Sequence, residues 1–525
     1  MKRRSFIKNT AAAASIPLLL GGMGVQALGR NTLLNNMMEG CDPDRILVLI
    51  QLNGGNDGLN TLLPLDQYSN LSTARGNILI PDNKALSLTP ETGLHPAMTG
   101  LENLYKDDKL GVVQAVGYPN PNFSHFRSTD IWTTGSPADE IWETGWVGRY
   151  LEDRYPGYPT GYPNSTTPDP LAITLGAVVS QTCQGPVTNM SMAMDPGANF
   201  EQLLTGCSTT PAPANPYGTE LSFLRQSVTQ TNAYLTALED AFNNGNNMSG
   251  MYPATGNNLA NQLKLVAKLI NGGLKTQFYI CNIGGFDTHA AQVDTADTTQ
   301  GIHANLLGQL STAIEAFQDD LKLMSREEDV LGLTFSEFGR RIASNGSTGT
   351  DHGAGAPLFL FGTEVNPMIH GTNPTIAAQV EPNDNIPMQF DFRSIYGSVL
   401  QDWFCVEEAD IKNLMFDEYQ HIPVLKNTFT AVEDLIGSGK IVLGQNYPNP
   451  AEGYTRIPLK LEDSQFVSLT LFNGNGQLIK VISERQFAAG EHQIDVDLNG
   501  LAAGMYHYRM QIGDQSAMKS MIVKK

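Results

Sequence analysis

Five short polar segments of the sequence carry aspartate, glutamate or histidine, and each of them follows or flanks an apolar run. They lie at 53–58, 120–127, 284–289, 336–341 and 349–353. Carboxylate and imidazole are metal ligands, and the two together indicate a site for zinc, manganese or iron more than a pure calcium cage. The candidate metal ligands in these segments are Asp57, Asp287, His289, Asp351 and His352.

Each segment taken alone has a plainer explanation. The Gly-Asn-Asp-Gly stretch at 55–58 is typical of a tight turn, because these residues tolerate positive φ. An Asp-His pair such as 351–352 is common in a solvated loop. The combination is more specific, because several such loops at one edge of a sheet would bring oxygen and nitrogen ligands together.

The elements that must position these segments are apolar runs and amphipathic stretches that alternate along the chain. Six runs predict buried strands, at 45–52, 110–116, 171–175, 277–283, 330–335 and 357–361. Three stretches predict helices, at 220–242, 258–270 and 302–323. The alternation predicts a three-layer α/β/α sandwich with a mostly parallel sheet, whose ligands gather at the carboxyl ends of the strands.

The polar segments resemble the family catalogued as domain of unknown function 1501. The resemblance spans about residues 45–410 and includes Asp-Phe-Arg at 391–393. That family is grouped with the alkaline phosphatase and sulfatase superfamily, so the resemblance implies an alkaline-phosphatase-like fold and a divalent metal. Zinc, manganese and calcium are the candidate ions.

The resemblance also implies roles for individual residues. Asp57 would be the first metal ligand, followed by the Asp287/His289 and Asp351/His352 pairs. Ser124 would be the nucleophile, with Thr129 as the alternative, and His125 and Arg127 would complete the catalytic set. The candidates for binding an anionic group are Arg127, Arg340, Arg341 and Arg393. Arg340 and Arg341 equally suit an ion pair with Glu337.

The sequence departs from the superfamily pattern at three points. One residue separates Asp287 from His289, where alkaline phosphatases usually have three. The last histidine ligand has no clear counterpart, with His370 and His421 as candidates. Ser124 lacks the proline-containing context of sulfatases. The function implied is a secreted metal-dependent hydrolase of phosphate or sulfate esters acting on a small-molecule or glycan ester. The alternative is a non-catalytic protein that binds glycan or another envelope component.

The two ends of the chain predict export. Residues 1–27 have the charged, apolar and small-residue regions of a signal peptide, and their paired arginines resemble the twin-arginine signal. Residues 442–525 contain short alternating runs separated by turns, which predict an antiparallel β-sandwich. They resemble the type A sorting domain of type IX secretion. A linker at 437–441 would separate it from the α/β domain at 41–436. The twin-arginine and type IX secretion machineries would be partners, on a route through the periplasm to the cell surface or the extracellular space.

Composition excludes some partners. The net charge is -20, and the negative field disfavours nucleic acid and anionic lipid. No run outside the signal reaches the length of a membrane span. The five cysteines include no CxxC pair, so a thiolate zinc site is not indicated. Cys183 and Cys207 flank a polar stretch and are a candidate disulfide pair, whereas Cys281 lies in an apolar run.

Overall fold

The structure is a computed structural model that describes most, but not all, of the chain. The described residues are 17–20, 23–26, 44–196, 213, 232–426, 441–461, 463–473, 478–512 and 515–524. Most of the predicted signal peptide, residues 437–440 of the predicted linker, residues 220–231 of the first predicted helix and Cys207 lie outside these ranges. The first of two compact units, residues 1–45, contains the antiparallel strands Pro17–Leu20 and Met23–Gln26.

Nine strands form the main sheet of the second unit. They are β1 Ile46–Asn53, β2 Leu110–Gly117, β3 Ala172–Leu175, β4 Ser191–Met194, β5 Phe278–Gly284, β6 Val330–Phe335, β7 Ala356–Phe361, β8 Ile369–His370 and β9 Phe390–Asp391. Their order is β8-β2-β7-β6-β1-β5-β3-β4, and β9 also pairs with β2. A small separate sheet joins Leu62–Pro64, Leu86–Ser87 and Thr92–Leu94.

The sheet is mostly parallel, as predicted, with one reversed strand. β1 runs parallel to β5 and β6, and β3 runs parallel to β4 and β5. β7, which was expected to be a further strand of the parallel set, is antiparallel to both β6 and β2. Three further strands, β4, β8 and β9, were not predicted from the sequence. All three are short edge strands that lack a long apolar run.

Helices cover both faces of the sheet. They are α1 Tyr68–Arg75, α2 Thr99–Lys106, α3 His125–Thr134, α4 Trp146–Arg154, α5 Asn258–Asn271, α6 Ile302–Leu323, α7 Phe392–Phe404 and α8 Glu408–Leu414, together with a single turn at Gly58–Thr61 and helical residues 232–244. Val48 and Ile50 of β1 belong to the core beneath α2, α5 and α6, whereas Leu47 and Leu49 belong to the core beneath α3, α4 and α7. This alternation within one strand confirms the predicted three layers.

The C-terminal part is an eight-stranded all-β region with its own core. Its strands are β10 Ile441–Leu443, β11 Tyr447–Glu452, β12 Tyr454–Leu461, β13 Gln465–Asn473, β14 Leu478–Phe487, β15 Gly490–Asp497, β16 Gly504–Ile512 and β17 Gln515–Val523. Every neighbouring pair is antiparallel except β11 and β17. The predicted antiparallel architecture is confirmed.

The cysteines differ from expectation. Cys183 is buried and free, so the predicted pairing of Cys183 with Cys207 is wrong. Cys183 lies at 0% exposure in the core beneath α4, where an apolar site suits a small thiol. Cys281 is also buried and free, in keeping with the apolar run that contains it, and Cys405 is disulfide-bonded. Among the described residues, no helix combines the length and the apolar character that crossing a bilayer requires.

Candidate metal centre

The polar segments meet at one edge of the main sheet because of strand direction. β1, β5 and β6 are parallel neighbours, so the loops that follow them leave the sheet on the same side. β2 shares their direction, since β7 is antiparallel to both β2 and β6. β7 runs the opposite way, so the segment that precedes it reaches the same edge.

Three side chains converge at this edge and form what we call the surface cluster. It consists of His125, Asp287 and His352, whose potential ligand atoms all lie within 4.8 Å of one another. His125 is the first residue of α3, Asp287 follows β5, and His352 precedes β7. These residues come from three separate segments of the chain, so only the fold brings them together.

Both imidazoles of the surface cluster are held by their Nδ1 atoms. His125 Nδ1 lies 2.9 Å from Glu337 Oε1, and His352 Nδ1 lies 2.7 Å from the Phe123 carbonyl oxygen. Each acceptor requires a proton on Nδ1, which leaves a lone pair on Nε2 in the neutral ring. The Nε2 atoms of both rings are buried, have no hydrogen-bond partner and lie 3.5 Å from Asp287 Oδ1.

The protonation states of the surface cluster favour cation binding. Burial lowers the pKa of His352 and therefore favours its neutral, ligating form. Burial alone would raise the pKa of Asp287, but Arg340 and the neighbouring histidines outweigh it and lower the pKa to about 2. Asp287 is 49% exposed at its side chain, and no described residue donates a hydrogen bond to its Oδ2 atom. An ionised carboxylate oxygen therefore remains open to solvent.

Arg340 organises the loops around the cluster instead of facing solvent. Its side chain is fully buried and bonds to Asp287 Oδ1 at 2.8 Å. Its acidic partner is therefore Asp287 and not Glu337, the partner considered from the sequence. Its other donors reach the carbonyl oxygens of Gly54, Gly55, Phe286 and Thr350. With its guanidinium bonded in this way, Arg340 cannot also grip an anionic substrate group.

Gly54 shows why glycine is needed beside the cluster. Its φ is +123°, a conformation that side chains rarely adopt, and a Cβ atom there would lie 2.3 Å from the Asp287 backbone nitrogen. Gly54 also donates its N–H to Glu337 Oε1 at 2.8 Å. The loop after β1 thus approaches the loop after β5 more closely than any larger residue allows.

Asp57 lies in a different environment from the one predicted for it. It is fully buried and accepts hydrogen bonds on both carboxylate oxygens from Arg75 Nη1, at 2.9 and 2.8 Å. Gln292 Nε2 donates to it at 2.6 Å. Burial alone would raise the pKa of Asp57, but Arg75 outweighs it and the pKa lies below its usual value. The structure thus places Asp57 in an internal ion pair, outside the surface cluster.

This second group of side chains, which we call the buried cluster, consists of Asp57, Arg75, Gln292 and His303. Each of the four is at most 1% exposed at its side chain or as a whole residue. His303 Nε2 lies 3.0 Å from Asn56 Oδ1, in the loop that carries Asp57. Burial lowers the pKa of His303 to about 4, so the ring is neutral.

Two further predicted ligands lie beside the surface cluster but outside it. His289 Nδ1 lies 2.7 Å from Asp287 Oδ1, and its ring centroid lies 4.6 Å from that of His352. Asp351 is exposed and accepts a hydrogen bond from Asn345 Nδ2 at 3.0 Å. The structure thus brings His289 close to the three clustered residues and directs Asp351 toward Asn345.

The predicted catalytic residues are divided as well. Ser124 is exposed at the N-cap of α3, directly before His125, and its hydroxyl does not cap the helix. Arg127 points away from the cluster, because it pairs with Asp130 and donates to the carbonyl oxygen of Pro137. Thr129 lies one turn further along α3 and is half-buried.

The remaining candidates from the sequence lie elsewhere. Arg393 pairs with Asp391 at 2.7 Å, and Arg341 donates to the carbonyl oxygen of Asn383. The possible last histidine ligands are also not among the converging residues. His370 is buried on β8, and His421 Nε2 contacts buried Asp402 at 2.9 Å.

Sequence reasoning missed the residues that support the clusters. Arg75 lies on a short helix 18 positions after Asp57, and Gln292 lies five positions after Asp287. Neither belongs to a polar segment that follows a strand, so no sequence signal distinguishes them. Glu337, which was considered from the sequence as an ion-pair partner of Arg340 or Arg341, contacts His125 Nδ1 and is not among the converging ligand atoms.

Known families account for two parts of the chain. Residues 213–412 match the DUF1501 family, a protein family of unknown function. The match contains Asp287 and His352 and begins after His125. Residues 445–524 match a secretion system C-terminal sorting domain, which indicates export to the cell surface or extracellular space. Both resemblances predicted from the motifs are confirmed, and the twin-arginine signal remains a prediction. No curated protein matches the chain.

Several solved structures show weak similarity to the chain. They include an alkaline phosphatase superfamily protein from Vibrio parahaemolyticus, with 10% identity, coverage of 89% of this chain and 81% of that chain, and a TM-score of 0.30. A phosphonate monoester hydrolase from Silicibacter pomeroyi has 9% identity, 91% and 88% coverage, and a TM-score of 0.32. A sulfatase from Pseudoalteromonas sp. has 10% identity, 89% and 86% coverage, and a TM-score of 0.32.

A match of another kind is PorZ, a surface component of the type IX secretion system of Porphyromonas gingivalis. It covers 19% of this chain and only 13% of PorZ, at 15% identity and a TM-score of 0.13. Similarity at these levels transfers neither activity nor residue roles. The chemistry of the chain must therefore be argued from its own side chains.

Proposed function

We propose that this chain is a secreted metal-dependent hydrolase of phosphate or sulfate esters that uses one divalent ion at the surface cluster. The observation that carries the proposal is the convergence of two unpartnered imidazole nitrogens and one carboxylate within 4.8 Å. Two histidines and a carboxylate are a common ligand set of zinc and of other catalytic first-row metals.

The residues fit such an ion by their chemistry. His125 and His352 would hold it through Nε2, the atoms that are buried without a partner. A buried nitrogen lone pair without a donor is unfavourable, and a cation satisfies it. The contacts of Nδ1 with Glu337 and Phe123 are the outer-shell bonds that orient metal-ligating imidazoles in known metal sites.

A single ion is supported better than a pair. Asp57, which the resemblance implied as a ligand, has both carboxylate oxygens engaged by Arg75 and Gln292. Among the described residues, the surface cluster is the only place where ligand atoms of three or more histidine, cysteine or carboxylate side chains converge. A divalent ion bound there would polarise an ester oxygen and lower the pKa of a water molecule.

The residues around the cluster suit this chemistry. Asp287 is 49% exposed, so a substrate group can approach the site from solvent. Ser124 directly precedes His125 and is itself exposed, so the attacking oxygen is either its hydroxyl or a water molecule. The ester class follows from the motif resemblance to the alkaline phosphatase and sulfatase superfamily.

The test is the metal content and turnover of the purified chain. After treatment with a chelator, the protein should take up one equivalent of zinc or manganese and hydrolyse a chromogenic phosphate or sulfate ester. His352→Ala removes one ligand and should weaken zinc binding at least a hundredfold, or about 2.7 kcal/mol, with loss of turnover. His370→Leu is the matched histidine control, because His370 is buried with both nitrogens unpartnered on β8.

The result that would sink the proposal is a wild-type chain that binds none of zinc, manganese and calcium. Equal zinc affinity in wild type and His352→Ala would have the same consequence. Ser124→Ala separates the two possible attacking groups. Turnover lost with metal binding intact identifies the hydroxyl, and turnover retained identifies water.

Two observations favour a second candidate, a non-catalytic protein that binds glycan. All four arginines considered for binding an anionic group are already bonded to other groups of the protein, and Phe126 is 90% exposed directly after His125. An exposed aromatic ring can stack on a sugar. A chain that binds metal and glycan but turns over no phosphate or sulfate ester would support this candidate over the hydrolase.

A further inference from the structure

We infer that Gln292 is a positioning residue that sets the spacing between Asp287 and His352. It does so by joining the two loops that carry them to the buried Asp57–Arg75 pair. The inference rests on the proposed metal centre, since its consequence is a change in metal affinity. It gives Asp57 a role that differs from metal ligation.

The anchor of the arrangement is the Asp57–Arg75 pair. Arg75 is fully buried on α1 and donates to both oxygens of Asp57, while its other donors reach the carbonyl oxygens of Ile342 and Arg341. The additional hydrogen bonds hold the buried pair in one geometry. Removing either partner would leave an uncompensated buried charge. The carboxylate of Asp57 is therefore a fixed acceptor.

Gln292 connects this acceptor to both ligand loops. Its Nε2 donates to Asp57 Oδ2 at 2.6 Å, so its Oε1 points the other way. That oxygen accepts hydrogen bonds from Thr288 Oγ1 at 3.1 Å and from Thr350 Oγ1 at 2.8 Å. Thr288 is the residue after Asp287, and Thr350 lies two residues before His352.

The orientation of the amide is determined by chemistry. A carboxylate accepts but does not donate, so only the NH₂ end of Gln292 can face Asp57. The carbonyl end then accepts from both threonine hydroxyls. The same loops are joined by backbone bonds from Thr350 to Thr288 and from Gln292 to Thr348, at 3.2 and 2.9 Å. The Gln292 side chain thus adds side-chain hydrogen bonds to the backbone bonds that already join the two loops.

The role is positioning because these residues cannot touch a substrate. Gln292 and Thr350 are 0% exposed and Thr288 is 2% exposed. Loss of the amide would leave all three ligands chemically intact but free the loops to shift relative to one another.

The experiment measures zinc affinity of the full chain by competition with a chromophoric chelator. Gln292→Ala should bind zinc about 10- to 100-fold more weakly than wild type, the usual effect of removing an outer-shell partner. The absorption bands of the cobalt-substituted protein should shift as well, because they report ligand geometry. Thr350→Val removes one hydroxyl at similar volume and should show a smaller change in the same direction.

The matched control is Gln401→Ala. Gln401 is also a buried amide, and its Oε1 accepts a hydrogen bond from the Tyr419 hydroxyl at 2.8 Å on the opposite layer. This variant should unfold at a lower temperature than wild type but keep wild-type zinc affinity and cobalt bands. The control therefore separates a loss of stability from a loss of positioning.

The outcomes distinguish this inference from the function on which it rests. Wild-type zinc affinity and cobalt bands in both Gln292→Ala and Thr350→Val would overturn the positioning role and leave the metal centre intact. A wild-type chain that binds no metal would overturn the metal centre itself. If Gln292→Ala fails to fold, Thr350→Val alone decides the question.

Discussion

The surface cluster and the buried cluster contain the same kinds of residue but differ in how their charges are balanced. Each has an aspartate that accepts a hydrogen bond from an arginine, and each contains histidine. Arg75 and Gln292 together engage both oxygens of Asp57 with no exposure to solvent. Arg340 bonds to Oδ1 of Asp287 alone, and that side chain is 49% exposed.

The histidines differ in the same way. His303 is fully buried beside Asp57, with its Nε2 atom 3.0 Å from Asn56 Oδ1. His125 and His352 use Nδ1 for a protein contact and direct Nε2 toward Asp287. Residue type alone therefore does not mark a ligand. The deciding property is whether ligand atoms of several residues converge, as they do at His125, Asp287 and His352.

The largest expected effect tests the buried cluster. Asp57→Ala leaves the guanidinium of Arg75 buried without its carboxylate, which should lower the free energy of unfolding by about 3–5 kcal/mol. His352→Ala in the surface cluster should lower it by only about 1 kcal/mol, because that side chain is partly exposed. Urea unfolding of both variants in the presence of a chelator measures the difference.

The same pair of variants can break the comparison. If Asp57→Ala unfolds at the wild-type urea concentration and instead loses zinc affinity, Asp57 behaves as a ligand and the two clusters are not distinct. The double variants that combine Asp57→Ala with Arg75→Leu or Arg75→Met should recover part of the lost stability, because they also remove the buried positive charge of Arg75.

The next effect in size is acid destabilisation through buried histidines. Burial lowers the pKa of His303 to about 4 and that of His95 to about 3, whereas both are near 6.5 when the chain is unfolded. The unfolded chain therefore binds more protons between pH 6.5 and pH 4. Stability is present above pH 6.5 and falls as the pH drops through this window, by up to about 1.4 kcal/mol per pH unit for each histidine.

Unfolding measured at pH 7, 6 and 5 with a chelator present checks this expectation. His303→Gln removes one titrating group and should reduce the slope of stability against pH by about 1.4 kcal/mol per unit. An unchanged slope in the variant would show that His303 does not resist protonation in the folded chain. The surface cluster would then not differ from the buried one in this respect.

The smallest expected effect concerns the outer shell of the surface cluster. Glu337→Gln keeps the shape of the side chain and its acceptor oxygen but removes the negative charge beside His125 Nδ1. Zinc affinity should fall about tenfold, with little change in stability. Glu327→Gln is the control, because Glu327 pairs with Lys109 at 2.5 Å away from the cluster and should leave zinc affinity unchanged.

If Glu337→Gln keeps wild-type zinc affinity, the role of Glu337 is limited to holding Gly54 and the first loop. The contrast between the clusters would then depend on burial and the arginine contacts alone.

The layered fold was predictable because its signal is local. The apolar run of β1 and the spacing of Leu306, Leu310 and Ile314 on α6 indicate elements whose buried faces the structure confirms. The reversed direction of β7 was not predictable in the same way. An apolar strand has the same pattern in either direction, and its partners decide which one it takes.

The sequence alone determined which residue types were available for chemistry and that they would collect at one edge of the sheet. It also determined the confirmed sorting domain at the C-terminus. Only the tertiary structure decided that His125 and Glu337 meet and that Asp57 is neutralised by Arg75. These outcomes depend on distances between side chains 18 to 212 positions apart. Such distances are set by how loops pack and which charges are buried together, and no local pattern of residues records them.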